Sequence, residues 1–412
     1  SSCCLSLIHC FPSFVGPMLR ASFCRAAAAA SPFGSIPVLK LADIRAALAT
    51  GAGNLFPTID AAFGPTGPGA VWIVGDDSFS SKVRRLRTQF LPKAKELALQ
   101  PDDVCARLAD PDSIITGLAK GIEATDVAKT SFYYHPVGDE PGNHLPSHQG
   151  FDKFWHSPNR FPSEEEMPGF KEASREAAQF VVSTGHELAQ LMELRLQQVE
   201  GYKQGSLSNA TEMTPGANHK ARLICYHPYQ NEEERTKSKG MWGAAHLDTG
   251  SLTGLLPGVF IDDSNTVVPN PDAHSGLYVV DRQGNEARVQ PPAESDALLY
   301  QIGETLQIVS GGEMQATPHL IKGPEKADPT FPTRCALAVF MQPHPMDELH
   351  IPSSISPEQM ASRTADRFLP PEWPTMEFRV AEMRKQGLIG DDKPLTFGAH
   401  GAVTFSNLKA QE

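Results

Sequence analysis

Two periodicities divide this chain. Over 80–99, Val83, Leu86, Phe90, Ala94 and Leu97 recur at three-to-four spacing, which predicts a helix that bends or restarts at Pro92. Over 172–200, Ala173, Ala177, Val181, Leu188, Leu191 and Leu196 fall on one stripe and predict a second, longer helix. The run Val71-Trp72-Ile73-Val74, bounded by Gly69 and Gly75, reads as a buried strand, and 35–39 as a short strand leading into a helix. Residues 130–169 are rich in Pro, Gly, His and aromatics without a period, and read as one long loop.

From Ala221 the period shortens. Apolar runs cut by Gly, Pro, Asn and Asp predict strands at 222–226, 243–246, 252–257, 276–280, 287–290, 297–300, 306–310, 316–321 and 334–341. Short strands in such series build a jelly roll or sandwich. The tail beyond Pro345 shows a helix near 376–386 and otherwise irregular text. The expected organisation is a leader at 1–34, an α/β N-terminal region at 35–205, a jelly-roll domain at 206–345 and a C-terminal extension at 346–412.

Composition narrows the function classes. With 412 residues, 40% of them hydrophobic and 20% charged, the chain has ample material for a large core. A net charge of −12 with no basic cluster argues against nucleic-acid or anionic-membrane partners, and no apolar run is long enough to span a bilayer. There is no G-x-G-x-x-G, G-K-[ST], G-x-S-x-G or C-x-x-C, which removes the common phosphate loops, nucleophile elbows and thiol pairs.

The candidate chemistry lies in His246-Leu247-Asp248-Thr249-Gly250, in His319 and in Arg334. On an extended segment the side chains of His246 and Asp248 project to the same face. With His319 they supply two imidazoles and one carboxylate, the ligand set of non-haem Fe(II) oxygenases. His135, His144, His148 and His156 crowd one stretch, but their spacings fit no zinc pattern and predict a solvated lid. Arg334 opens an apolar strand, where a charge needs a partner: either a salt bridge at the strand end or a bound anion.

The surrounding text carries a resemblance. Residues 243–256 read G-A-A-H-L-D-T-G-S-L-T-G-L-L, and 297–341 run from A-L-L-Y-Q-I-G-E-T-L-Q-I-V-S-G-G to R-C-A-L-A-V-F-M. This resembles the isopenicillin N synthase-like branch of the 2-oxoglutarate/Fe(II)-dependent oxygenases, among plant and algal members with Q-I-G-E-T-L-Q-I-x-S-G-G and A-T-P-H. The resemblance implies a mainly β fold, a distorted double-stranded β-helix (jelly roll) with flanking helices. It implies an enzyme that oxidises a small organic molecule with dioxygen, converting 2-oxoglutarate to succinate and carbon dioxide, with ascorbate a further candidate cofactor. His246, Asp248 and His319 take the ligand positions, and Arg334 that of the residue pairing with the distal carboxylate of 2-oxoglutarate. The chain departs from the pattern where Leu247 replaces Thr, Glu304 replaces Asp, Gly311-Gly312 replaces Asn-Gly and Ala336 replaces the Ser of R-x-S. Where relatives read N-Y-Y-P this chain has Cys225-Tyr226-His227-Pro228, so Tyr226 or His227 becomes the expected substitute donor for 2-oxoglutarate. Two other readings stay open: an iron oxidase of the same fold that does not use 2-oxoglutarate, and a non-catalytic binding protein on the same scaffold.

The leader reads differently from the rest. The first 34 residues hold Arg20, Arg25 and four cysteines but no acid, the first being Asp43. That composition predicts a transit peptide and a plastid location, with a mitochondrial address or a disordered leader on a cytoplasmic protein as alternatives. Three widely spaced cysteines in the remainder suit a reducing compartment.

Overall fold

The structure, a computed structural model, describes residues 35–409 apart from 112, 114, 122–127, 141–154, 156, 282–283, 293–295, 363–374 and 391–392. The expected leader and most of the expected lid lie outside the described residues. Among the described residues there are thirteen strands: β1 (Val38–Lys40), β2 (Ala70–Val74), β3 (Gly117–Lys120), β4 (Lys129–Tyr134), β5 (Lys220–Tyr226), β6 (Met241–His246), β7 (Leu252–Ile261), β8 (Val267–Val268), β9 (Gly276–Val280), β10 (Glu286–Arg288), β11 (Leu298–Ile302), β12 (His319–Lys322) and β13 (Thr333–Met341). Nine form one sheet in the order β1-β2-β11-β7-β13-β5-β4-β3, with β8 paired to β7. The other four form a second sheet in the order β10-β9-β12-β6. Mainly β with flanking helices, this is the expected jelly-roll class.

The alternation along each strand explains the layers. On β13, Cys335, Leu337, Val339 and Met341 join the main core with Val181, Val182 and Leu188 of the Phe170–Leu196 helix. The intervening Arg334, Ala336, Ala338 and Phe340 turn to a cavity between the sheets. The inner faces meet where Trp72 and Leu299 of the large sheet pack with Val279 and Ala287 of the small one. Each fully buried Val or Leu contributes about 1.5–3 kcal/mol here, so the helix-backed face is the main source of stability.

Several elements depart from expectation. The 306–310 stretch, expected as a strand, lies in a helix, Glu304–Val309, whose residues are all buried. A segment hidden on every side, its polar Glu304, Thr305 and Gln307 included, carries no inside-outside period to distinguish helix from strand. For the same reason β4 went unforeseen within the expected loop 130–169: all six of its residues are buried. The strand expected to stop at Pro257 continues to Ile261 through a bulge, where the register steps from Leu337↔Leu256 to Cys335↔Val259. The extra residue frees the ladder from needing the N–H that proline lacks. The 80–99 helix is helical over Asp77–Arg85 and Lys93–Ala98, with a π turn at Leu86–Phe90 between them.

Strands β1 to β4 extend the same sheet as β5, β7, β11 and β13, so residues 35–205 and 206–345 share one sheet. The C-terminal extension packs in as well: Met376, Val380, Met383, Phe397 and Val403 enter the main core beside Leu306 and Val309. Among the described residues no helix is long and apolar enough to cross a membrane.

Candidate active site

The small sheet assembles the two imidazoles. His246 ends β6, His319 begins β12, and the two are direct antiparallel partners. Their ring centroids lie 4.3 Å apart. Between His246 and Asp248 the Leu247 side chain turns into the main core at 2% exposure, which fixes the two flanking side chains on the opposite face. Asp248 Oδ1 stands 3.7 Å from Nε2 of His246 and 3.7 Å from Nε2 of His319. All three donor groups fall within 4.8 Å of one another, and they form the one such cluster among the described residues.

Surrounding contacts orient these groups. His246 Nδ1 lies 2.8 Å from the Ala244 carbonyl and His319 Nδ1 3.4 Å from that of Thr317. An Nδ1–H donated to a carbonyl leaves the Nε2 lone pair facing Asp248, the tautomer a metal requires. The Gln301 amide donates to Asp248 Oδ2 at 2.7 Å and sits 3.0 Å from His319 Nε2. Burial acts to raise the Asp248 carboxyl, but the nearby His319 and His246 and the Gln301 hydrogen bond outweigh it and hold it below its ordinary range. Gln301 was not anticipated from sequence. The signal lay in the strand Leu298–Ile302, where an uncharged polar residue interrupts an apolar run.

The loop after Asp248 is pinned from the G-E-T-L-Q segment. The Glu304 N–H donates to the Asp248 carbonyl at 2.7 Å, and Thr305 Oγ1 to that of Thr249 at 2.7 Å. Gly303 makes this approach possible, since a Cβ there would come within 2.2 Å of the Gly250 carbonyl oxygen. The Glu304 carboxylate, fully buried, receives two hydrogen bonds from Arg379 of the C-terminal extension, one of them 2.9 Å long. His400 stands 3.7 Å from the same carboxylate, and Thr404 Oγ1 accepts from Arg379 at 2.8 Å. The C-terminal segment is thereby tied to the loop carrying Asp248.

A cavity of about 350 Å³ opens beside the cluster, and His246, Asp248 and His319 share its lining with Arg334, Tyr226 and Arg288. Arg334 is 9% exposed, and its Nη1 is buried without a hydrogen-bond partner. Its guanidinium lies 5.1 Å from the centre of the Tyr226 ring, which stacks on Trp242. Burial lowers the Arg334 pKa, and the neighbours that act on it (Tyr226, Cys335 and Arg288) include no carboxylate. The strand-end salt bridge is therefore absent among the described residues.

The other sequence candidates separate. Tyr226 lines the cavity, whereas His227 does not. Its Nε2 is 2.8 Å from Thr130 Oγ1 and its Nδ1 3.8 Å from Cys225 Sγ, and burial pushes its pKa down to about 4. The strand's alternation puts residues 226 and 227 on different sides, so only Tyr226 meets the cavity. His135 is buried at 1% exposure instead of solvated, while His144, His148 and His156 lie outside the described residues. Cys225 and Cys335 face one another across β5 and β13 as free thiols.

Solved structures share this fold. A full-length Neurospora crassa protein in complex with alpha-KG and thymine is similar at 17% identity, with 79% of this chain and 91% of that one covered and a TM-score of 0.54. A 2OG-Fe(II) oxygenase family protein from Caulobacter crescentus matches at 17% identity, with 85% and 99% covered and a TM-score of 0.53. JOX2 in complex with 2OG, Fe and JA matches at 17% identity, with 92% and 91% covered and a TM-score of 0.52. No family model and no curated protein matches the chain. At these identities the likeness establishes the fold alone.

Proposed function

We propose that the protein is an Fe(II)- and 2-oxoglutarate-dependent oxygenase acting on a small organic molecule. The observation that carries this reading is a juxtaposition. The His246/Asp248/His319 cluster and the unpartnered Nη1 of Arg334 face one cavity. The donor set suits Fe(II), which takes two imidazoles and a carboxylate on one face. On the same fold the Neurospora crassa protein is in complex with alpha-KG, and JOX2 with 2OG and Fe, which supports the reading. The motif text further supports membership of the isopenicillin N synthase-like branch, and the leader's composition a plastid location.

In this reading His246 and His319 bind the metal through Nε2, and Asp248 through Oδ1. Gln301 holds the other oxygen of Asp248 and sets the carboxylate plane. Arg334 presents a planar fork suited to a carboxylate, backed by the face of Tyr226. The cavity's Trp72, Leu255, Leu299 and Phe340 exclude water around the reacting groups. Iron and 2-oxoglutarate, when bound, supply the dioxygen chemistry that yields succinate and carbon dioxide and oxidises the substrate.

The test is aerobic incubation with Fe(II), 2-oxoglutarate and a metabolite extract, following succinate and new products by mass spectrometry. Succinate together with an oxygenated, desaturated or cyclised metabolite supports the reading. An oxidised product without succinate would point to an oxidase instead. Arg334→Leu should weaken 2-oxoglutarate by about 30- to 1,000-fold, the equivalent of roughly 2–4 kcal/mol for a buried charge-assisted pair, while metal affinity stays unchanged. Anaerobic titration checks both quantities, and an unchanged 2-oxoglutarate dissociation constant would remove Arg334 from the site.

A further inference from the structure

We infer that Arg288 is a second anchor for the distal carboxylate of the cosubstrate, sharing it with Arg334. The inference rests on the proposed use of 2-oxoglutarate. Among the described residues four arginines line the cavity: Arg87, Arg222, Arg288 and Arg334. Two of them are already engaged. Arg87 bonds the Pro257 carbonyl at 3.2 Å and Asp296 at 3.3 Å. Arg222 donates to Ser131 Oγ at 3.0 Å and lies 5.0 Å from the centre of the Tyr133 ring. The other two keep a free donor: Arg334, though stacked on Tyr226, has Nη1 buried without a hydrogen-bond partner, and so does Arg288 at Nε.

Arg288 reaches the cavity by a specific route. It ends β10 opposite Tyr278, while its neighbours Ala287 and Val289 enter the core between the sheets. Its guanidinium lies across Gly276, where an added Cβ would sit 3.3 Å from Nε. Glycine at 276 is thus the space through which Arg288 passes to the cavity lining. There its charge is felt by Arg334, whose protonated form it disfavours.

Arg334 is buried and Arg288 half-buried, two like charges that repel each other, and one nitrogen of each, Arg334 Nη1 and Arg288 Nε, lacks an acceptor. Among the described residues Asp248 is the one carboxylate of the lining, and it is committed to His246, His319 and Gln301. A ligand carboxylate would supply the counter-charge that the described lining does not. A carboxylate offers two oxygens and about four acceptor sites, enough for two arginine forks at once. Ala336 on β13 offers no hydroxyl that would compete for those acceptor sites.

The experiment compares wild type, Arg288→Gln, Arg288→Lys and Arg334→Leu as full-length proteins loaded with Mn(II) under anaerobic conditions. Dissociation constants are measured by calorimetry for 2-oxoglutarate and for pyruvate, a 2-oxo acid without a distal carboxylate. Arg288→Gln should weaken 2-oxoglutarate by about 10- to 100-fold, with Arg288→Lys in between, the range for one charged hydrogen-bond anchor. Pyruvate and Mn(II) affinities should not move, which a merely structural defect would not allow. If Arg334→Leu weakens 2-oxoglutarate and Arg288→Gln does not, Arg288 is not an anchor, and the proposed function stands without it. If wild type binds no 2-oxoglutarate at all, the proposed function fails and this inference with it.

Discussion

Asp248→Ala is expected to abolish stoichiometric Fe(II) binding and all turnover. Asp248 brings the only negative charge of the cluster, is 5% exposed, and stands 3.7 Å from both imidazole Nε2 atoms. Without it two neutral imidazoles remain, and the metal loses both a ligand and its charge compensation. The fold should survive, because Glu304 holds the loop through the main-chain carbonyl of residue 248 and not its side chain. His246→Ala and His319→Ala should act alike. Metal titration alongside circular dichroism checks this, and a folded variant with wild-type metal affinity would exclude its residue as a ligand.

Arg379→Met should carry the largest cost in stability of any single substitution considered. Its removal leaves the Glu304 carboxylate fully buried beside His400, which burial and the Arg379 charge hold neutral. Breaking a buried pair in this way costs about 3–5 kcal/mol, because the surviving charge has no solvent. The double substitution Glu304→Met with Arg379→Met should cost less than Arg379→Met alone, since no orphaned charge remains. Metal affinity should also fall in Arg379→Met, because the Glu304 N–H fixes the Asp248 carbonyl. Denaturant unfolding of the three variants tests the energetics. A loss below roughly 1 kcal/mol for Arg379→Met would show that the pair contributes like a solvent-exposed one.

How much of this was legible in the sequence depends on how local each signal is. The spacing of His246 and Asp248 fixes a common face on any extended segment, and the text leading to His319 pointed to the third member of the cluster. Strand β13 was legible because one of its faces meets the helices and the other the cavity, so small and large apolar residues alternate. Strand β4 and the Glu304–Val309 helix were not, since burial on every side erases the period. His227 looked equivalent to Tyr226 in the Tyr226-His227 pair, yet pleating sends only one of them to the cavity. The Glu304–Arg379 pair spans 75 residues and depends on the tertiary placement of the C-terminal helices. Arg288 sits on a three-residue strand with no motif, and only the surrounding Gly276 and Arg334 give it meaning.

The most direct measurement of the central claim is the affinity for 2-oxoglutarate, determined anaerobically with and without Mn(II) as a redox-inert stand-in for Fe(II). The account predicts tight binding only when metal is present, lost in His319→Ala and strongly weakened in Arg334→Leu. That pattern requires the metal cluster and the buried guanidinium to hold opposite ends of one molecule. No binding, or binding indifferent to both metal and Arg334, would contradict it.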